Sequence, residues 1–318
     1  MKLLVSYSNP HGNWYVGEFY NSFFNYLKEK NLDATYISTE DLCKKHNGAF
    51  NFTETVPSIF NIYNLIIQNT DNEKTFVHSW NDHAPAMLDL NYNSGIKKFN
   101  VVKFACVSQL TQAVYDKFKS NFNIQPSFYL LEHYSDHKLI EDNRHQQKLI
   151  EKIFFNGLDY GKRKTILQKF RKSEYFDVRA KNNNQEWQQK NDYFECFGKY
   201  KYGLGLDGAA LICYRDLEAF GLGTLLFREK IQNLFNEPLQ EDIHYFNIFD
   251  DYAYQVLYHD NDNFTNHINK KVENVLCQDQ DKINSVTANA REWFVRNCLI
   301  DNQLKQMYSF LDDLAIFE

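Results

Sequence analysis

Residues 202–224 read YGLGLDGAALICYRDLEAFGLGT and hold the densest chemistry in the sequence. The segment opens as an apolar strand and breaks at Asp207, Gly208, Ala209 and Ala210. It resumes as a helix carrying Arg215 and Glu218 about one turn apart on one face. A strand, a loop of small residues and a helix start bring free backbone N–H groups and a positive dipole end together, which suits an anion. Arginine adds a permanently charged fork matched to a diphosphate, and a glutamate three residues on can accept paired hydrogen bonds from ribose hydroxyls. The same spacing also fits an ordinary i,i+3 ion pair on an exposed helix, worth ~0.2–0.5 kcal/mol. Gly203, Gly205 and Gly208 match the G-x-G-x-x-G dinucleotide fingerprint letter for letter. They lie deep in the chain, with the first two glycines inside the expected strand, and that context argues against a dinucleotide site.

The charge distribution adds a second clue. The 318 residues carry a net charge of -6, yet residues 144–181 hold 11 basic and 4 acidic groups. Residues 1–143 contain 12 Lys, 15 acidic groups and no Arg. The basic island fits either a solvated helix face or a site for a polyanion or diphosphate, and its confinement to one loop and one helix start favours a compact phosphate.

These residues need a scaffold, and the hydrophobic periodicity supplies one. Residues 2–7 read as a buried strand, positions 16, 19, 20, 23, 24 and 27 as the inner face of a helix, and residues 34–37 as a second strand. Further strands are expected at 75–78, 101–107 and 127–131, with a helix over 109–118. The alternation restarts after residue 150, with strands at 153–155, 175–178, 202–206 and 224–227 and helices at 162–171, 192–198 and 212–220. From Asp260 the chain reads as helical to its end. The fold class expected is α/β, with two Rossmann-like domains facing across a cleft: residues 1–135, and residues 150–318 with a helical carboxyl terminus. Mean hydropathy of -0.57 and the absence of any long apolar run predict no membrane span. Six scattered cysteines (43, 106, 196, 213, 277 and 298) and no leader-like amino terminus predict reduced thiols and a cytoplasmic protein.

The order of small-residue loop, Tyr214-Arg215-x-x-Glu218, then Phe220-Gly221-x-Gly223 resembles the donor-site segment of GT-B glycosyltransferases. It is similar to a run in capsule-associated and exostosin-like transferases and to the R-x-x-E helix of phage DNA β-glucosyltransferases. The resemblance implies that Arg215 contacts the donor diphosphate, with Gly208 and Ala209, and that Glu218 contacts the ribose. Residues 155–163, FNGLDYGKR, resemble the segment in which the phage enzymes place phosphate-binding arginines, which gives the same role to Gly157 and Arg163. The implied donor is a nucleoside-diphosphate sugar, a UDP-sugar as first choice. No metal and no tightly bound cofactor are implied, because the two arginines would take over the neutralisation of the leaving group.

In the amino-terminal half, residues 77–85, VHSWNDHAP, pack polar groups and an aromatic into a loop after a strand. An inverting transfer needs one general base for the attacking hydroxyl, and Asp82 is the first choice, by its likeness to the Asp after an amino-domain strand in the phage enzymes. His83 is the second. Asn81 and Asp82 are equally good helix N-caps. His11, Asn13, Trp14 and Trp80 are acceptor-side candidates, with the two indoles as a platform for a sugar or a base or as ordinary packing. The acceptor is a glycan or a hydroxymethylated DNA base, the latter from the phage likeness, which would put the protein in a host cytoplasm. The rivals are a nucleotide-sugar epimerase of the same fold and a non-catalytic nucleotide-sugar binding protein. The His pairs 78/83 and 133/137 lack zinc-site spacing, and neither a Walker loop nor G-x-S-x-G occurs.

Overall fold

The structure is a computed structural model. It describes residues 2–7, 15–38, 41, 63–72, 74–80, 102–107, 111–118, 123–125, 137–181, 189–208 and 212–318. The chain divides into two compact units, one of residues 1–134, 232–237 and 297–318, the other of residues 135–231 and 238–296.

The first unit is built on a six-stranded mixed sheet. Strand β1 (Lys2–Tyr7), helix α1 (Tyr15–Glu29) and strand β2 (Asp33–Tyr36) form the parallel β-α-β start that the periodicity predicts. Strand β3 (Tyr63–Asn69), which the sequence reading omits, runs antiparallel to β1 and to β4 (Thr75–Trp80). The β3–β4 hairpin closes through Asn69 N donating to Lys74 O at 2.9 Å. Strand β5 (Val102–Val107), helix α2 (Gln112–Phe118) and strand β6 (Asn123–Gln125) follow, and the sheet order is β2-β1-β3-β4-β5-β6. The expected strand at 127–131 lies outside the described residues.

The second unit opens with helix α3 (His137–Asn143) and carries an all-parallel sheet. Its elements are β7 (Ile150–Leu158), α4 (Gly161–Phe170), β8 (Phe176–Lys181), α5 (Lys190–Gly198), β9 (Tyr200–Gly205), α6 (Tyr214–Leu222), β10 (Leu225–Arg228) and β11 (Phe246–Asn247). Helices α7 (Asp251–Val256), α8 (Asn261–Leu276) and most of α9 (Gln280–Cys298) complete it. Strand β7 is buried on both faces, which is why residues 153–155 read as an unbroken apolar run. Phe155 joins a core with Ile166, Phe170 and Phe264, while Phe154 turns the other way onto Phe197 and Tyr200.

The order β11-β10-β9-β7-β8 has one consequence for function. The chain steps from β7 outward to β8, then returns across β7 to β9 and continues the other way. Ligands of open α/β sheets bind beyond the carboxyl ends of the strands where that reversal occurs, here between β7 and β9.

The last helix, α10 (Ile300–Asp313), departs from the sequence reading, which assigned residues 150–318 to one domain. Leu304, Met307, Leu311 and Ile316 instead join Leu3, Phe19, Phe23 and Ile67 in the core of the first unit. Asn69 Nδ2 donates to Ile316 O at 2.9 Å, fastening that tail to β3. The helix has the amphipathic stripe its periodicity announces, but a stripe does not specify which core will bury it.

Candidate functional site

Two arginines exchange places at the reversal. Arg163 sits in the first turn of α4, the helix that follows β7, yet its guanidinium reaches the chain leaving β9. Nε donates to Leu206 O at 3.2 Å and Asp207 O at 3.1 Å, and Nη2 to Leu206 O at 2.6 Å. Arg215 sits in the first turn of α6, the helix that follows β9, and reaches back to β7. Its Nε and Nη2 donate to Asn156 O at 2.9 and 2.6 Å, and the group lies 4.0 Å over the Phe155 ring. The two residues are 6% and 8% exposed.

This crossing explains two glycines. A Cβ on Gly157 would collide with Nη2 of Arg215, and one on Gly208 would stand 2.5 Å from Arg163 Nη2 and from the Tyr160 hydroxyl. Tyr160 is 40% exposed, with its ring 5.3 Å from the Arg163 guanidinium, so an aromatic face borders the site. Gly203 and Gly205 lie inside β9, as the sequence context implied.

The neighbouring charges are already cancelled. Arg228, fully buried at the end of β10, donates to Asp216 Oδ2 and Asp207 Oδ1, both at 2.7 Å. Lys162 pairs with Glu229 Oε2 at 2.5 Å, an oxygen that also accepts from the Tyr254 hydroxyl at 2.6 Å. Among the described residues Arg163 and Arg215 have no carboxylate partner: backbone carbonyls, aromatic faces and, at 2.7 Å from Arg163 Nη2, the Cys213 thiol are what they hold there. Nη1 of Arg215 is buried and makes no hydrogen bond with the described residues. A buried donor left unpaired costs about 1–3 kcal/mol, more when charged, and an arriving anion would remove that cost.

The two helix starts also differ. Helix α6 is closed by a capping box, in which Asp216 Oδ2 accepts from Cys213 N at 2.9 Å. Helix α4 has no side-chain cap and no acid in its first turn. The open dipole end therefore belongs to α4, although the sequence reading looked to the loop before α6.

Burial pushes the Asp207 carboxyl up to about 6, against the pull of Arg228 and with the help of Glu229. Burial likewise raises the Cys213 thiol, while Arg163, Arg215 and Arg228 all pull it down, which marks how closely these guanidinium groups converge. Glu218 accepts from the Tyr193 hydroxyl at 2.5 Å, and burial followed by the Glu218 charge raises that phenol well above its ordinary value. The alternative of an Arg215–Glu218 ion pair is not realised.

Gly157, Arg163, Gly208 and Arg215 thus gather at the carboxyl ends of β7 and β9, with Glu218 one turn along α6. Ala209, Asp82, His83, His11, Asn13 and Trp14 lie outside the described residues, and Trp80 closes β4 opposite Tyr63. Asp216, Arg228, Tyr160 and Tyr193 were missed by sequence reasoning. Only Asp216 left a signal, as an acid three residues past an N-cap position. Among the described residues no group of three His, Cys, Asp or Glu could hold a metal, and no helix is long and apolar enough to cross a membrane.

No protein-family model matches the chain, and no curated protein matches it. Among solved structures it is similar to the pneumococcal O-GlcNAc transferase GtfA in complex with UDP and GlcNAc, at 13% identity and a TM-score of 0.39 over 72% of this chain and 47% of that one. It is also similar to a glycosyltransferase from Rickettsia africae ESF-5, at 11% identity and a TM-score of 0.38 over 98% and 84%. The chain spans about half the length of the pneumococcal protein. Both TM-scores lie below one half, so neither likeness carries weight beside the geometry.

Proposed function

We propose that the protein is a GT-B glycosyltransferase that takes a sugar from a nucleoside-diphosphate sugar, UDP-sugar first, to an acceptor hydroxyl. The observation that carries this reading is the pair of buried guanidinium groups without carboxylate partners among the described residues, where the strand order of a parallel sheet reverses. A diphosphate supplies the two adjacent negative charges such a pair lacks, and the uncapped start of α4 adds backbone donors.

As the bond from the anomeric carbon to the phosphate oxygen breaks, negative charge grows on the leaving diphosphate. Arg163 and Arg215, held in place by carbonyls, stabilise that charge without reorganising. The acceptor oxygen forms the new bond to the anomeric carbon and its proton passes to a base, Asp82 in this reading with His83 second, on the segment following β4. Glu218, oriented by Tyr193, takes the ribose hydroxyls. His11, Asn13, Trp14 and Trp80 are assigned to the acceptor, a glycan or a hydroxymethylated DNA base, and the reaction is assigned to the cytoplasm.

The test is thermal unfolding with UDP, UDP-glucose and UDP-GlcNAc against GDP and ADP. A uridine ligand at about 100 times its Kd should raise Tm by about 5 °C. Arg215→Met and Arg163→Met should each abolish the shift. If no nucleoside diphosphate stabilises the protein, or the shift survives in both variants, the reading fails.

A further inference from the structure

Helix α4 serves two places. Its first turn carries Arg163 to the sheet edge, while its last turns face α8 across a cavity of about 790 Å3. Every one of the ten side chains lining that cavity is polar. Small-molecule sites of about 300–1,000 Å3 are ordinarily walled by apolar and aromatic side chains with a few polar groups among them. A cavity of that size with no apolar or aromatic side chain in its wall suits a ligand that binds through hydrogen bonds.

The cavity is built rather than incidental. Lys169 and Ser173 are 7% and 8% exposed, and Ser173 Oγ donates to Asn269 Oδ1 at 2.8 Å, joining the turn after α4 to α8. Beneath it Phe170 stacks on Phe176 at 4.0 Å and on Phe264 at 5.8 Å, which holds the walls in place. Six of the other lining side chains are unspent. Thr165, Gln168, Lys172, Glu174, Asp262 and Asn266 make no side-chain hydrogen bond or ion pair with the described residues. Lys172, Glu174 and Asp262 share one cavity without pairing.

Two lysines, Lys169 and Lys172, and two acids, Glu174 and Asp262, line the cavity, so the lining has no formal charge excess; the Lys169 ammonium lies 5.3 Å from the centre of the Phe264 ring. A phosphate or sulfate would meet the carboxylates, and a cationic ligand the ammonium groups. A sugar hydroxyl donates and accepts at once, and the mixed set of amides, hydroxyls, carboxylates and ammonium groups can serve it in both senses.

We propose that the α4–α8 cavity is a binding site for a neutral oligosaccharide, separate from the β7/β9 edge and independent of the donor-site reading. Saturation-transfer NMR and titration calorimetry on the full chain, with maltotriose, cellotriose, chitotriose and xylotriose as probes, test it. At least one should bind with a Kd of about 1 mM or tighter. Gln168→Ala and Asn266→Trp alter exposed residues, the second filling the void, and each should weaken binding at least about tenfold with Tm unchanged. Inorganic phosphate and sialyllactose serve as anionic arms. The proposal is overturned if no neutral trisaccharide binds, if only the anionic probes bind, or if binding persists in both cavity variants. Loss of trisaccharide binding in Arg215→Met alone would assign it to the β7/β9 edge and overturn it as well.

Discussion

Two neighbouring edges of one sheet hold buried guanidinium groups in opposite ways. At the end of β10, Arg228 is clamped by Asp216 and Asp207, with its Nε donating to Glu229 O at 2.6 Å, so its charge is cancelled within the fold. At the ends of β7 and β9, Arg163 and Arg215 hold carbonyl oxygens. Carbonyl dipoles orient a guanidinium but leave its net charge intact. The difference separates a cation paired within the fold from the two that the proposed function assigns to a ligand.

The largest effect should come from Arg228→Met. It leaves Asp216, wholly buried, without its cation, and stability should fall by roughly 3–5 kcal/mol in urea unfolding. A loss under about 1 kcal/mol would erase the contrast between the two edges.

Lys148 sharpens the same contrast at the amino ends of the strands. It donates to Thr224 Oγ1 at 2.9 Å and to Gly198 O at 3.3 Å, and burial pulls its ammonium down to about 8 from an ordinary 10.5. The native state therefore binds fewer protons than the unfolded state between those values, and stability should rise with pH across that window. The rise relative to Lys148→Met should be on the order of 2 kcal/mol, read from unfolding curves at pH 7.5 and 10.5. A lysine held by neutral oxygens can shed its charge; the two arginines cannot.

Gly157→Ala pushes the Arg215 fork off Asn156 O. UDP affinity should drop at least about tenfold while stability falls by about 1–3 kcal/mol. Unchanged affinity would detach Arg215 from the ligand.

The smallest effect belongs to Asp207→Asn, which keeps an acceptor for Arg228. With its folded value raised to about 6, Asp207 holds a proton that the unfolded chain has released above about 4, so wild-type stability declines as pH rises through that window. The variant should match or exceed wild type by up to about 1 kcal/mol at pH 7, and the gap should close below pH 5. A clear loss at pH 7 would show that Arg228 needs both charges.

Much of this was legible in the residues. The spacing of Phe19, Phe23 and Leu27 announces α1, the run at 153–155 announces a doubly buried strand, and arginines at two helix starts mark the anion edge. Strand β3 escaped notice because a short apolar run bounded by polar residues has no period of its own until a hairpin partner pairs with it. The clamp on Arg228 escaped because Asp216 and Arg228 lie on different elements, and nothing local ties a helix acid to a strand-end base.

Local pattern, then, set the element types, the α/β alternation and the residues able to meet a phosphate, since periodicity and side-chain chemistry are properties of neighbours in the chain. Sheet order decided the rest. It put β9 beside β7, so that two arginines could cross to each other's strands, and gave Arg228 the carboxylates that leave those two uncompensated. It also sent α10 to the first unit's core, because pairing and burial are contests among distant segments that no short stretch can settle.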